Sequence, residues 1–432
     1  MSPQRAARPL YAWYGDDFTG STDVLEALGV HGVESVLFTH TPSARDRAAF
    51  SHSRAIGIAG ESRSRNPRWM SRNLPAIFRA MRRMGAPVNH YKVCSTFDSS
   101  PSVGSIGRAM EVGRAVFGPR AVPIVVGAPR LGRAVVYGNL FAEAEGVMYR
   151  IDRHPTMRRH PVTPMTEADL RLHLAKQTAL QLSLIDAETF QANAAGRQFQ
   201  AQADAGAEAI VFDGFSNAML EETAHVIWQG ARKHPIFAVG SSGLTSGLLL
   251  HWRSIGLVRE AKTPARARPA DRLLVLSGSC SPITAKQIRR AKQLGFGTWR
   301  LRDSAPSHTL AANALQTLQR GNSVVLYTAL GPQSADDRRG EQIGPGLGEF
   351  LRRLILESGV RRVLIAGGDT ATHAVKQLKL DALTFAASLA PGVPLCIGHA
   401  KDSPLHGLEL ALKGGQMGGE DFFVEVRDGR AN

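Results

Sequence analysis

Short apolar runs alternate with amphipathic stretches along most of this chain, and that alternation constrains its fold more than any other feature. Several runs are apolar almost throughout, which is typical of parallel strands that are buried on both faces. The intervals show helical periodicity, as in Leu74–Met84 and Thr284–Leu294. The pattern therefore predicts an α/β fold with mainly parallel sheets flanked by helices. The predicted strands are Leu10–Tyr14, Val33–Phe38, Arg54–Ala59, Val122–Gly127, Ala209–Asp213, Ile236–Gly240, Arg272–Ser277, Ser323–Thr328, Val363–Gly367 and Pro394–Gly398.

A segment rich in proline and arginine interrupts the alternation. Residues 259–270 read REAKTPARARPA, with two prolines and no aliphatic side chain larger than alanine. Such a composition is typical of a linker between domains, and a chain of 432 residues is long enough for at least two of them. We therefore predict two α/β domains, residues 1–262 and residues 263–432, each built on a mainly parallel sheet.

The chain is strongly basic, with 52 lysines and arginines against 37 acidic residues and a formal net charge of +15. A basic surface of this kind raises the question of nucleic-acid binding. The basic clusters are short, however, and the aromatic side chains that stack on bases in such proteins make up only 6% of the chain. The charge also suits an anionic small molecule, such as a phosphate ester or a carboxylate. We predict no nucleic-acid partner.

The cysteines and the apolar segments exclude several other classes of protein. Cys94, Cys280 and Cys396 are far apart in sequence, which argues against a cysteine-based zinc module and a disulfide framework. No apolar run is long enough for a transmembrane helix, and the first residues lack the apolar core of a signal peptide. We expect a cytoplasmic protein with no membrane partner and no metal site built from its own side chains.

The first candidate site is the segment Gly15–Asp23, GDDFTGSTD, which follows the first predicted strand. Open α/β sheets bind ligands at the carboxyl ends of their strands, and the amides that begin a helix favour anions. Asp16 and Asp17 add carboxylates that can accept hydrogen bonds from hydroxyl groups or act as a general base. Helix capping would explain one of these residues but not the whole cluster. Thr19 is a further candidate for substrate binding.

A second candidate is the hydroxyl-rich segment Tyr91–Ser100, YKVCSTFDSS, which also follows a predicted strand. Its lysine, serines and threonine would suit a polyol or a carboxylate. An ordinary polar loop would explain the same composition equally well. The segment therefore remains open as a substrate-binding loop on composition alone.

The C-terminal half contains three glycine-rich segments, of which the first two follow predicted strands and the third lies near the C-terminus. They are VLSGSCSP at 275–282, AGGDTATHA at 366–374 and LKGGQMGG at 412–419. Glycine lets a backbone approach phosphate closely, and amides at helix starts bind phosphate oxygens. Three such loops in one domain favour a nucleotide as ligand. The chain has no Gly-Lys dipeptide, which excludes a Walker-type P-loop, and it lacks the HRD and DFG motifs of protein kinases.

Taken in order, the motifs GDDFTG, MRRHPVTPMTEADL, LSGSCSP, AGGDTA and ALKGGQMGG resemble the four-carbon acid sugar kinase family over roughly residues 10–425. The resemblance implies an ATP-dependent kinase that acts with Mg²⁺ on tetronates, 3-oxo-tetronates or branched oxo-acids such as 3-oxo-isoapionate. It also implies an N-terminal acid-sugar domain and a C-terminal nucleotide domain. The expected partners are ATP and a small sugar acid, and a homodimer is left open.

The resemblance also implies roles for individual residues. It places ATP binding on Ser277, Ser279, Ser281, Gly367, Gly368, Asp369, Thr370 and Gly415. Asp16 and Asp17 are the candidate catalytic residues, and the candidate substrate-binding residues are Thr19, Lys92, Ser95, Thr96 and Arg130.

The chain departs from the common family pattern at two of these loops. Many members read K-x-D-S-T-x-R-G at the second motif, where this chain has Cys94 in place of Asp and Asp98-Ser99 in place of Arg-Gly. The last loop reads KGGQMG in place of KSGNFG. The first departure favours a branched or other non-tetronate acid.

The alternatives to a kinase are a non-kinase α/β enzyme, a lyase or dehydrogenase acting on a small sugar acid, and a nucleic-acid-binding regulator.

Overall fold

The computed structural model describes residues 8–160, 162–259, 266–302, 306–331 and 340–430. The domain boundary predicted near residue 262 lies outside these residues. The described residues group into two compact units. The first unit comprises those within Met1–Asp16, His31–Glu34 and Thr41–Glu260, and the second comprises those within Asp17–Val30, Ser35–His40 and Ala261–Asn432.

The strands begin and end close to the apolar runs of the sequence. They are β1 (Tyr11–Gly15), β2 (Ser35–Phe38), β3 (Ala55–Ala59), β4 (Val88–Lys92), β5 (Val122–Val125), β6 (Arg133–Val136), β7 (Asn139–Ala144), β8 (Val147–Arg150), β9 (Leu182–Ile185), β10 (Ala209–Phe212), β11 (Ile236–Gly240), β12 (Leu274–Ser277), β13 (Gly297–Arg300), β14 (Val324–Tyr327), β15 (Arg362–Ala366), β16 (Ala382–Ala390), β17 (Val393–His399) and β18 (Glu409–Lys413).

Helices fill most of the intervals between strands. They are α1 (Phe18–Val30), α2 (Ala44–Ala48), α3 (Pro67–Met84), α4 (Ile106–Phe117), α5 (Leu170–Ala175), α6 (Ala187–Gln191), α7 (Ala195–Asp204), α8 (Asn217–Ala231), α9 (Ser242–Ser254), α10 (Pro282–Gln293), α11 (His308–Gln319), α12 (Gly340–Ser358), α13 (Gly368–Leu378) and α14 (Phe422–Asp428). Within the described ranges, none of the helices combines the length and the apolarity that a membrane span requires.

The first unit is built on the parallel strands β3-β1-β4-β11-β5-β10-β9. Every residue of β1 and β4 is buried, as expected for strands covered on both faces. A small antiparallel sheet, β6-β7-β8, is added to this unit. Sequence analysis did not predict this sheet, because its strands are short and only partly buried.

The second unit is mainly parallel, in the order β13-β14-β12-β15-β18, and continues through the antiparallel strands β17, β16 and β2. The predicted α/β class is therefore confirmed. Helix α1 belongs to this unit although it lies near the N-terminus. Its buried Glu26 carboxylate accepts hydrogen bonds from the Ser388 hydroxyl at 2.5 Å and from the Gly392 amide at 2.6 Å.

A lysine is fully buried at the end of β18. The Lys413 ammonium donates hydrogen bonds to the Thr284 hydroxyl at 3.1 Å and to the carbonyls of Gly414 and Gly415 at 3.0 and 3.3 Å. All these acceptors are uncharged, so burial lowers the pKa of Lys413 to about 7. The side chain fastens helix α10 to the loop that follows β18.

We expect Lys413→Met to change how stability depends on pH. Between pH 7 and the ordinary pKa of lysine, the unfolded chain binds a proton at this side chain that the folded chain does not. The wild type should therefore gain stability relative to the variant as pH rises from 7 to 9, by up to about 1.4 kcal/mol per pH unit. Urea unfolding of both proteins at pH 7, 8 and 9 measures this difference.

The exposed Lys401 provides the control, since Lys401→Met removes the same charge from the surface. Its stability difference from the wild type should hardly change over the same pH range. An equally flat difference for Lys413→Met would show that the buried side chain is not held largely neutral.

Candidate active site

Three strands of the second unit end side by side. Ser277 at the end of β12 pairs with Ala366 at the end of β15, and Ala366 pairs with Lys413 at the end of β18. Backbone bonds continue the pairing into the loops, because the Gly278 amide donates to the Ala366 carbonyl and the Gly367 amide donates to the Lys413 carbonyl, both at 2.9 Å. The three glycine-rich loops predicted from the sequence are thus brought together at one edge of the sheet.

The loops approach so closely that two positions have little space for a side chain. A Cβ atom at Gly278 would lie 1.9 Å from Oγ1 of Thr370, and one at Gly415 would lie 2.8 Å from Oγ of Ser279 and 3.1 Å from Cβ of Ser281. The loops therefore form a continuous surface of backbone and small hydroxyl side chains. This surface is suited to the oxygens of phosphate groups.

Two hydroxyl groups of this surface have no hydrogen-bond partner among the described residues. They are the buried Oγ atoms of Ser277 and Ser281, whereas Oγ of Ser279 accepts a bond from the Ser281 amide at 3.2 Å. A buried hydroxyl without a partner costs about 1–3 kcal/mol, unless a ligand supplies the missing bond. These two serines are therefore the members of the predicted set that most directly indicate a ligand.

Two helices begin at the same loops. Helix α10 starts directly after Ser281, and helix α13 starts at Gly368 after a glycine cap at Gly367. The first amides of a helix have no partner within the helix and favour anions. Thr370 lies in the first turn of α13, as does Asp369, whose side chain falls outside the described part of the structure.

Asp17 faces this group of loops. One carboxylate oxygen, Oδ1, accepts the Gly20 amide at 2.5 Å and so caps α1. The other, Oδ2, lies 3.2 Å from the position of a Cβ atom at Gly368. Asp17 is therefore both a helix cap and a buried carboxylate beside the start of α13. Thr19 follows in the first turn of α1, where its buried hydroxyl has no partner among the described residues.

Asp16 belongs to the first unit, at the ends of β1 and β4. Its amide donates to the Lys92 carbonyl at 2.9 Å, and both side chains are buried. Burial and, to a lesser extent, the charge of Asp16 raise the pKa of Tyr91 well above its ordinary value. Asp16 and Lys92 are thus brought together as the sequence predicted, but they lie in a different unit from Asp17.

The loop after β4 is organised around Asp98, which sequence analysis did not propose as a site residue. Its carboxylate accepts bonds from Arg63 at 2.8 Å, from Thr96 at 2.5 Å and from Thr163 at 3.0 Å. Burial alone would raise the pKa of Asp98, but the Arg63 guanidinium and the other donors hold it well below its usual range. The charge reversal from Arg to Asp in this motif could have signalled the need for a cationic partner.

The remaining predicted substrate residues have less defined roles. Ser95 is half-buried beside Thr96, whose hydroxyl also contacts the sulfur of Cys94 at 3.0 Å. Arg130 is exposed in a short helical turn, Pro129–Leu131. Within the described ranges, no group of three or more histidine, cysteine, aspartate or glutamate side chains is arranged to hold a metal ion.

Comparisons with protein families match both halves of the chain. A family model described as a sugar-binding N-terminal domain matches residues 11–248, and one described as a nucleotide-binding C-terminal domain matches residues 274–423. The second match includes all three glycine-rich loops, and the first includes the loop after β4. The two descriptions agree with the division of ligands that the resemblance implied.

Curated relatives match over almost the full length. The chain is 42% identical to a 3-oxo-isoapionate kinase from Paraburkholderia graminis, over 98% of this chain and 94% of the relative. It is 30% identical to a 3-oxo-tetronate kinase from Pseudomonas fluorescens, over 97% of this chain and 96% of the relative.

Solved structures support the fold. A crystal structure of a protein from Salmonella typhimurium LT2 matches with a TM-score of 0.76 at 24% identity, covering 96% of this chain and 98% of that one. One from Haemophilus influenzae matches with a TM-score of 0.70 at 22% identity and the same coverage. The family models and the curated relatives confirm the resemblance seen in the sequence: the chain belongs to the four-carbon acid sugar kinase family.

Proposed function

We propose that this chain is an ATP-dependent kinase that phosphorylates a hydroxyl group of 3-oxo-isoapionate or a closely related branched oxo-acid. The convergence of three phosphate-suited loops beside the carboxylate of Asp17 is the observation that carries the kinase assignment. The branched substrate is supported by the higher identity to the 3-oxo-isoapionate kinase than to the 3-oxo-tetronate kinase, at nearly equal coverage. The substitution of Cys94 in the substrate loop agrees with that choice.

The nucleotide phosphates would bind to the loop surface of the second unit. Backbone amides at the starts of α10 and α13 and the hydroxyls of Ser277 and Ser281 would bind phosphate oxygens. Mg²⁺ keeps several waters and binds nucleotide phosphates, so it needs no dedicated acidic cluster. The Thr370 hydroxyl, close to Gly278, is an oxygen ligand that suits it. When bound, Mg²⁺ neutralises charge on the transferred phosphoryl group.

Asp17 is our candidate for the general base. The substrate hydroxyl oxygen forms a new bond to the γ-phosphorus, the bond from that phosphorus to the β–γ bridging oxygen breaks, and ADP leaves. The hydroxyl proton passes to the Asp17 carboxylate. Asp16 precedes it in the chain and is our candidate for orienting the substrate. Catalysis then depends mainly on positioning and electrostatic stabilisation.

An ADP-release assay against a panel of acids tests the proposed reaction. We expect ADP release that requires the acid, with kcat/KM for 3-oxo-isoapionate at least about tenfold above that for 3-oxo-tetronate or tetronate, as differences in substrate shape typically produce. Release of ADP that no acid stimulates would contradict the kinase assignment. A preference for 3-oxo-tetronate would leave the kinase but overturn the branched substrate.

Asp17→Asn tests the proposed base. Asparagine caps a helix as well as aspartate does, so the variant loses the charge and the basicity while α1 keeps its cap. We expect kcat to fall by about 10²- to 10⁴-fold, with the Kd of a non-hydrolysable ATP analogue changed by less than about threefold.

Asp186→Asn is the matched control, because Asp186 caps α6 through the Thr189 amide at 2.9 Å in the first unit. It should keep the wild-type kcat. A near-normal kcat for Asp17→Asn would remove Asp17 from proton transfer.

Ser277→Ala tests the nucleotide surface through binding alone. The Ser277 hydroxyl is buried without a partner among the described residues, so its removal should not destabilise the protein. We expect the Kd of the ATP analogue to rise by about tenfold, the effect of roughly one lost hydrogen bond.

Ser323→Ala should behave in the opposite way, since its hydroxyl accepts the Leu273 amide at 2.9 Å within the same unit. That variant should lose stability in thermal unfolding and retain nucleotide affinity. If Ser277→Ala binds the nucleotide normally but unfolds more easily, the hydroxyl has a structural role instead.

A further inference from the structure

Arg133, a half-buried arginine, lies in the first unit. This residue begins β6, and its backbone pairs with Ala128 across a tight turn that contains Arg130. One end of its guanidinium, Nη1, donates to the carbonyls of Leu131 at 2.9 Å and Gly132 at 3.0 Å. These bonds hold the guanidinium against its own turn in one orientation.

The other edge of the guanidinium has no acceptor. The Nε atom is buried without a partner among the described residues, and Nη2 likewise forms no hydrogen bond with them. No carboxylate of these residues lies within ion-pair distance of Arg133. Glu143 interacts with it electrostatically, but only the Glu143 backbone carbonyl approaches Nη1, at 3.4 Å. The Nε–Nη2 edge is the fork that binds a carboxylate through two parallel hydrogen bonds.

Apart from Glu143, the groups that interact electrostatically with Arg133 are a thiol and an imidazole. The Cys94 thiol is close enough to the guanidinium to interact with its charge. Burial and the charge of Arg133 lower the pKa of His154, whose Nδ1 accepts the amides of Thr156 and Met157 at 3.2 Å, so this imidazole stays uncharged at neutral pH. Burial also lowers the pKa of Arg133, although an arginine keeps its proton under all ordinary conditions. A half-buried cation that has no ion pair among the described residues favours an anionic ligand.

We infer that Arg133, rather than the exposed Arg130, binds the carboxylate of the sugar acid through its Nε and Nη2 atoms. This inference rests on the proposed function and names a residue of its substrate site. Cys94 connects Arg133 to the loop predicted to bind the substrate, because the Thr96 hydroxyl contacts its sulfur.

Cys94 has a defined consequence for this site. At the same position many members of the family carry Asp, and an aspartate here would add a negative charge that interacts with the guanidinium. A thiol leaves the positive charge for the ligand. The residue at position 94 therefore influences how strongly Arg133 attracts the carboxylate of the substrate.

Steady-state kinetics with 3-oxo-isoapionate tests the inference. Arg133→Met should raise KM for the acid by about 30- to 100-fold, as expected for the loss of charge-assisted hydrogen bonds, with kcat changed by less than about threefold. Arg133→Lys keeps the charge but lacks the fork, so its KM should rise by about tenfold. The Kd for the ATP analogue should not change in either variant. The exposed Arg153→Gln is the control for loss of a surface arginine and should keep the wild-type KM.

Two variants at position 94 test the same site while Arg133 itself is retained. Cys94→Asp should raise KM by about tenfold or more by pairing with the guanidinium, whereas the neutral Cys94→Ser should have a much smaller effect. In Arg133→Met, the additional change Cys94→Asp should then add little to KM, because the cation that it would neutralise is absent.

The possible results separate this inference from the proposed function. Loss of acid-dependent ADP release in the wild type would reject the kinase itself. An active wild type whose KM is unchanged in well-folded Arg133→Met, as judged by circular dichroism, would reject only the role of Arg133. If Arg133→Met does not fold, an unchanged KM in both Arg133→Lys and Cys94→Asp would reject that role equally.

Discussion

The parallel register of β12, β15 and β18 is the constraint on which the nucleotide surface depends. It places Ser277, Ala366 and Lys413 side by side at the ends of their strands, so that the loops after them lie at the same edge of the sheet. A slip of one residue would turn every side chain of a strand to the opposite face. These strands are almost entirely buried, so core packing resists such a slip. The surface for phosphate is thus a consequence of the apolar core and of the small residues at its edge.

Three basic side chains differ in what neutralises their charge, and this difference indicates which of them can bind a ligand. The fully buried Arg362 forms an ion pair with Glu409 at 2.7 Å, as a structural arginine should. Lys413 has only neutral acceptors and can release its proton, as its pKa of about 7 indicates. Arg133 also lacks an ion-pair partner among the described residues but cannot deprotonate. Its charge is therefore open to an anionic ligand, the role that we propose for the carboxylate of the sugar acid.

The sequence predicted those features that depend on local pattern. The α/β class and the positions of ten strands followed from apolar runs. The strands β9, β13, β16 and β18 were missed, and the glycine-rich loops were assigned to one domain without a prediction that they share one edge. Features that depend on long-range contacts were not predictable. Nothing in the sequence indicates that Glu26 bonds to Ser388 and Gly392, so that α1 belongs to the second unit. Similarly, the choice between Arg130 and Arg133 depends on how one short turn folds.

The two loops that depart from the family pattern differ in kind: one replacement depends on the space for a side chain, and the others change charge. In the last loop, Gly414 replaces a serine where a Cβ atom would meet only Cγ of Met417, at an ordinary 3.6 Å, whereas the neighbouring Gly415 has no such space. The replacement of serine by glycine at position 414 is therefore sterically neutral. In the loop after β4, Cys94 and Asp98 change the charge relative to the family pattern. The guanidinium of Arg63 pairs with the carboxylate of Asp98, whereas Arg133 has no ion pair among the described residues. Because the nucleotide surface consists largely of backbone, the space available for side chains limits which residues can occur there. The substrate loop uses side chains, so its specificity can change while the fold and the nucleotide surface are retained.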